Sequence, residues 1–223
     1  MPQLINKKFL LYLFFFLLFG SLNNKNLTEI EFQKIEKINI LGFEKKYKNQ
    51  LLKNLEFVKF QNLFFLQRYE IEKILRQNDL IDKYSIFKKY PSTLEVKINQ
   101  TEFLAYSFKD RKYYFVGSNG KLIESKKKLQ KKPIIFGNFK VNDFLEFKDS
   151  IDKSNFDYDN IDELFFFPSG RWDIKLKSGK LLKLPNIDLK NNLELLIQIL
   201  NDVKFQNAKI IDIRQHNQVI ISE

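Results

Sequence analysis

Residues 82–102 read DKYSIFKKYPSTLEVKINQTE, and this stretch decides the fold of the 223-residue chain. Its second half alternates apolar residues with charged or polar ones, the apolar set being Leu94, Val96 and Ile98. Such alternation is typical of a strand with one buried and one solvated face. Tyr84 and Ile86 alternate in the same way before Pro91, whose fixed φ favours a turn and excludes a central ladder position. The sequence therefore predicts a β-hairpin closed by a short turn.

A strand and two helices are predicted upstream of the hairpin. Residues 35–41, IEKINIL, place Ile38 and Ile40 two apart and are followed by Gly42, which predicts a strand. Two apolar helical faces follow, formed by Tyr47, Leu51 and Leu55 and by Ile71, Ile74 and Leu75. The order strand, helix, helix, strand, strand predicts a compact α+β unit of about 70 residues, with both helices on one face of the sheet.

The region after residue 102 is predicted to form a second α+β unit. Apolar strand segments are predicted at residues 105–108, 113–116, 122–123, 134–136, 164–167, 172–176, 180–184, 208–214 and 218–222, separated by turn-forming residues. Helical faces are predicted at residues 141–151 and 189–203, the second capped by Asp188. Trp172 is predicted to pack in the core. Many strands with helices on one side predict an antiparallel sheet.

Specific motifs in both regions resemble a known family. The run Lys89-Tyr90-Pro91-x-x-Leu94-x-Val96, with Gly42 and the β-α-α-β-β order, resembles the POTRA domain of the bacterial cell-division protein FtsQ (DivIB) family. The second region is similar to the β-domain of that family. Three motifs carry this similarity: Lys132-Pro133 followed by Gly137, Arg171-Trp172 followed by Ser178-Gly179, and Asp212-Ile213-Arg214. The resemblance implies a single transmembrane helix, a POTRA domain and an antiparallel α+β β-domain.

The N-terminal apolar run suggests export. Lys7 and Lys8 precede residues 9–22, FLLYLFFFLLFGSL, which span about 21 Å as a helix and fit a signal-peptide core as well as a membrane anchor. The missing Ala-x-Ala site and the resemblance favour an uncleaved anchor, with the N-terminus in the cytoplasm. We therefore predict a tail at 1–8, an anchor in the inner membrane at 9–22, a linker at 23–34, a POTRA domain at 35–102 and a periplasmic β-domain at 103–223.

Composition and motifs point away from catalysis and nucleic acid. The formal net charge is +11, but only five of the 38 basic residues are Arg, which favours a solvated surface or attraction to anionic lipid. The absence of Cys excludes disulfides and thiolate metal sites. His216 is the only His, and Ser169 lacks a nucleophile elbow. The Lys112-Tyr113-Tyr114 strand resembles those of single-strand binders, but export across a membrane excludes nucleic acid as its partner. Because we find no catalytic constellation, we predict a non-enzymatic protein without cofactors.

The resemblance implies a non-catalytic, bitopic scaffold of the septal divisome that binds FtsB and FtsL. In the family the partner adds to the last strand by β-augmentation. The residues carried over for partner binding are Arg214, Gln215, Val219, Ile220, Ile221, Ser222 and, as a weaker candidate, Arg171. A covered strand and a solvated charge are the alternatives for Val219 and Arg214. Another alternative is a secreted or membrane-tethered binding protein whose POTRA-like module is unrelated to division.

Overall fold

The computed structural model describes residues 7–22, 33–125, 131–215 and 218–222. The predicted linker, except for its last two residues, most of the basic loop at 126–132, and His216 lie outside the described residues. The described chain contains an N-terminal helix, a domain with a three-stranded sheet and a second domain with a nine-stranded sheet. This order agrees with the sequence prediction.

The N-terminal apolar run forms helix α1, Lys7–Leu22. Its aromatic and leucine side chains at residues 9–17 and 19 are exposed, including Phe16 at 75% and Phe19 at 70%. The helix is 16 residues long, or about 24 Å at ~1.5 Å per residue, against a hydrocarbon core of about 30 Å. Within the described residues, none of the helices combines the length and the apolar character needed to cross a membrane. The predicted helix is confirmed, and its role as a membrane anchor stays a prediction.

The first domain has the predicted order of elements. Its bounds are β1 Lys37–Leu41, α2 Lys45–Asn54, α3 Arg68–Arg76, β2 Ile81–Lys89 and β3 Thr93–Gln100, with a 3-10 turn at Glu56–Phe60. Strand β3 lies in the centre, parallel to β1 and antiparallel to β2. The hairpin is confirmed, and its tip contains a cis Tyr90–Pro91 bond. The apolar faces of both helices and of β3 form one core with Ile71, Leu75 and Val96 fully buried.

One hairpin residue departs from the predicted pattern. Glu95 lies on the face of β3 opposite the core, yet it is only 6% exposed. The reason is the central position of β3, because Phe87 of β2 and Asn39 of β1 flank Glu95 in register. The buried carboxylate is compensated by Lys89, whose Nζ lies 2.5 Å from Oε2.

The second domain contains nine strands and two helices. Their bounds are β4 Phe103–Lys109, β5 Lys112–Gly117, β6 Leu122–Ser125, β7 Ile134–Phe136, α4 Val141–Asp152, β8 Ile161–Phe166, β9 Trp172–Leu176, β10 Leu181–Lys183, α5 Leu189–Asn201, β11 Ile210–Asp212 and β12 Ile220–Ser222. The strand order is β12-β11-β10-β9-β8-β7-β4-β5-β6. These elements match the predicted segments closely.

The predicted antiparallel sheet is wrong in part, because the sheet is mixed. Strands β7 and β8 pair in parallel, as do β10 and β11, and β4 and β7. The first two pairs follow from connectivity: α4 joins β7 to β8, and α5 joins β10 to β11. A helix between two neighbouring strands brings the chain back to the starting edge, so the second strand runs parallel to the first.

Both helices cover one face of this sheet. The core row across it consists of Ile135, Leu164, Ile174, Leu182 and Ile211, at most 1% exposed. Trp172 is buried as predicted, and its ring stacks on that of Phe147 at 4.8 Å. Asp188 occupies the N-cap position of α5, but its carboxylate accepts from the Asn191 side chain and not from a helix N–H, so the predicted capping bond is absent.

Candidate partner-binding edge

Strand β12 forms one edge of the nine-stranded sheet. It pairs antiparallel with β11, with Ile220 opposite Asp212 and Ser222 opposite Ile210. Among the described strands, none pairs with the outer side of β12. The structure thus places the predicted strand where its outer backbone groups are open to a further strand.

The side chains of this edge divide between two faces. Ile221 packs against the core cluster beneath the helices. Ile220 points to the face without helices and is 52% exposed, and Val219 is 41% exposed. The backbone groups of β12 also divide between two directions. Lys209 N–H donates to Ser222 O at 2.8 Å, so the carbonyl of Ser222 points towards β11. Backbone groups alternate in direction along a strand, so those of Ile221 and Val219 point away from β11.

The opposite edge of the same sheet, β6, is protected by charge. Lys121 directly precedes β6, and Glu124 within it pairs with Lys112 of β5 at 2.9 Å. Charged side chains on an edge discourage the addition of another strand. Residues 219–222 carry no charged side chain, so the β12 edge is the more open of the two.

Arg214 lies just after β11 and is held by Asp212. Its Nε is 2.8 Å from Oδ1 and its Nη2 is 2.5 Å from Oδ2, while its backbone N–H also donates to Oδ1 at 3.1 Å. These charge-assisted bonds lower the pKa of the Asp212 carboxyl, and the same side-chain bond raises the pKa of Arg214. The guanidinium is therefore fixed in direction, although its side chain is still 35% exposed.

Arg171 and Asp173 form a second pair on the same face, with different geometry. Asp173 is only 4% exposed, and its Oδ1 lies 3.6 Å from Arg171 Nε. Neither of these two atoms has a hydrogen-bond partner among the described residues. Burial raises the pKa of Asp173, and the nearby arginines only partly offset this effect. The Arg171 guanidinium also lies over the Phe167 ring at 4.1 Å from its centroid.

Register places both pairs in one charged row. Asp173 of β9 lies opposite Lys183 of β10, which lies opposite Asp212 of β11. The row therefore runs across three strands and ends at Ile220 of β12. Arg171 and Arg214 lie on the same side of this row, two strands or about 10 Å apart across the sheet.

A groove of about 580 Å³ lies beside the edge. It is bordered by the start of α5 and by the connection between β11 and β12, and its lining includes Ile187, Leu195, Arg214 and Val219. Ile187 is 70% exposed and Leu195 is 38% exposed. Apolar side chains and one fixed guanidinium thus border the open strand.

The structure brings six of the seven predicted residues together at this edge: Arg214, Gln215, Val219, Ile220, Ile221 and Ser222. Arg171 lies on the same face two strands away. Asp173, Lys183 and Ile187 were not predicted as members of the site. The alternation of Arg171, Asp173 and Lys175 along β9 is the signal that could have indicated a charged open face. In the part of the chain that the structure describes, no cluster of His, Cys, Asp and Glu could hold a metal ion.

Comparison with protein families gives a match for each of the two domains. Residues 33–100 match the family model described as POTRA domain, FtsQ-type. Residues 105–214 match the model described as cell division protein FtsQ/DivIB, C-terminal. The chain belongs to the FtsQ/DivIB family. The predicted family membership is therefore confirmed.

Individual relatives are distant. The DivIB protein of Clostridium botulinum is 26% identical over 54% of this chain and 50% of its own length. FtsQ of Rickettsia bellii is 24% identical over 88% of this chain and 74% of its own length. The chain thus spans half the length of the clostridial relative. A structure of the major extracytoplasmic domain of DivIB from Geobacillus stearothermophilus matches 49% of this chain and 98% of that domain, at 14% identity and a TM-score of 0.36.

Proposed function

We propose that this FtsQ/DivIB-family protein is a non-catalytic scaffold of the division septum that binds FtsB- and FtsL-type partners by β-augmentation on β12. The observation that carries the proposal is the open outer side of β12, next to residues 219–222 without charge. A partner strand would pair with the outward backbone groups of Val219 and Ile221. The strand then gains a second neighbour, and main-chain hydrogen bonds provide the affinity.

Arg214 and the adjacent groove support the same proposal. The guanidinium is fixed by Asp212 but remains 35% exposed, so a partner carboxylate can add a charge-assisted bond to it. Ile187 and Leu195 offer apolar contact beside it. A partner segment that combines an acidic residue, an apolar helical face and an extended strand fits this combination.

Amide hydrogen exchange tests the augmentation directly. The full chain is co-purified from membranes with FtsB- and FtsL-type proteins, and exchange is compared with the chain alone. We expect the amides of Val219 and Ile221 to exchange at least about tenfold more slowly in the complex, because these outward N–H groups become bonded. A stable complex with unchanged exchange at these amides contradicts strand addition.

We further propose that α1 holds the chain at the inner membrane, with the two domains in the periplasm. The exposure of the Phe, Tyr and Leu side chains at residues 9–17 and 19 supports this, since such a surface needs an apolar environment. Carbonate-resistant membrane association is the expected result. Mass spectrometry of the mature N-terminus separates this proposal from a cleaved signal peptide and a secreted protein, because cleavage removes the helix.

We propose a role in targeting for the first domain. Its three-stranded unit has a core of its own and lies between α1 and the second domain in sequence. We expect a fluorescent fusion lacking residues 35–101 to lose septal localisation. Unchanged septal localisation of that fusion counts against this role.

A further inference from the structure

Four aromatic side chains lie exposed at one end of the first domain. This aromatic end consists of Phe60, Phe64, Phe65 and Tyr90, which are 80%, 62%, 65% and 63% exposed. Phe64 and Phe65 contact each other edge to face at 5.3 Å. Large aromatic residues concentrated in one place on a surface usually mark an interaction site.

The aromatic end is the place where the chain arrives from α1. Ile35 N–H donates to Gln61 O at 3.0 Å, directly after Phe60. Asn62 pairs with Lys34 as an isolated bridge and donates from Nδ2 to Gln33 O at 3.0 Å. The first described residues of the domain therefore run along the segment that carries three of the four aromatic residues.

The hairpin tip brings Tyr90 to the same end. Lys88 Nζ donates to Leu66 O at 2.9 Å and to Phe64 O at 3.3 Å, which ties β2 to the aromatic segment. Ser92 O accepts from Glu36 N–H at 3.0 Å, next to the arriving chain. The two contacts flank Tyr90 in sequence and place the hairpin tip, which carries Tyr90, at the same end of the domain.

The second domain is attached at the far end. Strand β3 starts at Thr93, beside the arriving chain, and leads through Gln100 to the second domain, about 25 Å further on at ~3.4 Å per residue. There Asn119 Nδ2 donates to Asp79 O and Ile81 O. The aromatic end therefore lies where the chain enters the domain after α1, and the second domain is attached at the opposite end.

We propose that the aromatic end rests in the headgroup region of the bilayer that holds α1. The inference rests on the proposed membrane attachment of α1. Ten residues separate Leu22 from Gln33, so the aromatic end is tethered within about 36–40 Å of the helix even when the chain is extended. Aromatic residues favour the membrane–water interface, and the exposed Lys34 and Lys59 beside them are attracted to anionic lipid.

Fluorescence quenching of the full chain in vesicles tests this placement. Because the chain has no Cys, single variants Lys59→Cys and Lys204→Cys can each carry an environment-sensitive dye. Both lysines are exposed residues of 3-10 turns, one next to Phe60 and the other in the second domain. In vesicles of phosphatidylcholine and phosphatidylglycerol with a spin-labelled lipid, we expect at least about twofold stronger quenching at residue 59 than at 204.

Replacing the cluster provides the second arm. The triple variant Phe60→Ser, Phe64→Ser and Phe65→Ser should abolish the quenching at residue 59 while vesicle flotation persists. Phe108→Ser with Phe136→Ser, exposed aromatics of the second domain, should leave it unchanged.

Three outcomes overturn the inference. Equal quenching at residues 59 and 204 in floating protein removes it and leaves the anchoring by α1 intact. A water-exposed dye at residue 59, in vesicles that contain no other protein, also contradicts the inference and indicates a protein partner for the aromatic end. Failure of the native chain to float rejects both the anchor and the inference.

Discussion

Two carboxylates of the second domain lie two strands apart and have pKa values shifted in opposite directions. Burial raises the pKa of Asp173, whereas the Arg214 guanidinium lowers the pKa of Asp212. A raised folded pKa destabilises the folded state above the unfolded value of about 3.9, and a lowered one stabilises it there. The Asp212 contribution is lost as the pH falls through its folded pKa, and the Asp173 penalty disappears as the pH falls below about 3.9.

Asparagine substitutions should therefore have opposite consequences. At pH 7 we expect Asp212→Asn to lower the free energy of unfolding by about 2 kcal/mol, because charge-assisted bonds are lost. Asp173→Asn should leave it unchanged or raise it. Both differences from the native chain should shrink as the pH is lowered towards 3. Urea unfolding followed by fluorescence of Trp172, the single Trp and a residue of this core, measures both.

Arg214 is also the residue through which the partner's charge can be tested. We expect Arg214→Glu to weaken binding of an FtsB-type partner by about tenfold or more, since the fixed cation is replaced by an anion facing the partner carboxylate. Lys209→Glu is the matched control, because Lys209 is exposed on the other side of β11. Equal loss of affinity in the two variants, measured by titration calorimetry, would indicate a general charge effect and not a bond at Arg214.

At the level of elements, we expect the partner to bind the backbone of β12 as well as its side chains. Val219→Pro removes an N–H that points away from β11, so the fold should persist while partner binding is lost. Val219→Ala keeps the N–H and should bind nearly as well as the native chain. Pull-down with an FtsB-type protein and the Trp172 unfolding curve separate the two effects. Unimpaired partner binding by the Val219→Pro variant would contradict β-augmentation at this residue.

Ile220→Pro is the less selective variant. The backbone groups of Ile220 share the direction of those of Ser222, whose carbonyl accepts from Lys209 N–H. Proline at residue 220 therefore removes a bond to β11 as well. We expect it to lower stability measurably, so that a loss of binding there carries less weight than at Val219.

The elements predictable from sequence are those with local causes. The hairpin follows from alternation around Pro91, and α3 follows from the spacing of Ile71 and Leu75. Neighbour relations in the sheet are not local, and so the parallel pairing of β10 with β11 was missed although both strands were predicted. Burial of Glu95 was missed for the same reason, because it depends on strands that flank β3 in space.

The candidate site divides along the same line. The strand at residues 220–222 and the motif around Arg214 were predicted from the chain and the family resemblance. The contribution of Asp173 depends on β9 lying two strands from β11, which the sequence does not contain. Ile187 enters the groove only because α5 crosses over β10 and β11. Residues that act across strands thus need the fold before they can be recognised.

At the scale of the whole molecule, the turn between β5 and β6 of the second domain contacts the first domain. Asn119 of the turn between β5 and β6 donates to Asp79 O at 2.8 Å and to Ile81 O at 3.2 Å in the first domain. Thr101 and Ser118 contact each other at 3.2 Å below it. A side chain at Gly117 would displace Asn119, since a Cβ there would lie 2.6 Å from Asn119 Oδ1. These contacts hold the second domain in one direction relative to the first domain.

We expect Asn119→Ala to release this orientation without unfolding either domain. The lost bonds are worth about 1–2 kcal/mol, enough to populate undocked arrangements but little compared with two separate cores. Spin labels on Lys53→Cys and Lys204→Cys, one in each domain, should report a distance distribution that broadens in the variant. Asn186→Ala is the matched control, because its amide bonds to Ser169 O within the second domain. A distribution as narrow as that of the control would mean that the remaining junction contacts are sufficient to hold the orientation.

A released junction should also affect partner binding, since the aromatic end and β12 belong to different domains. We expect Asn119→Ala to lower partner binding in vesicles more than in detergent. The reason is that the first domain has a fixed orientation to transmit only in vesicles.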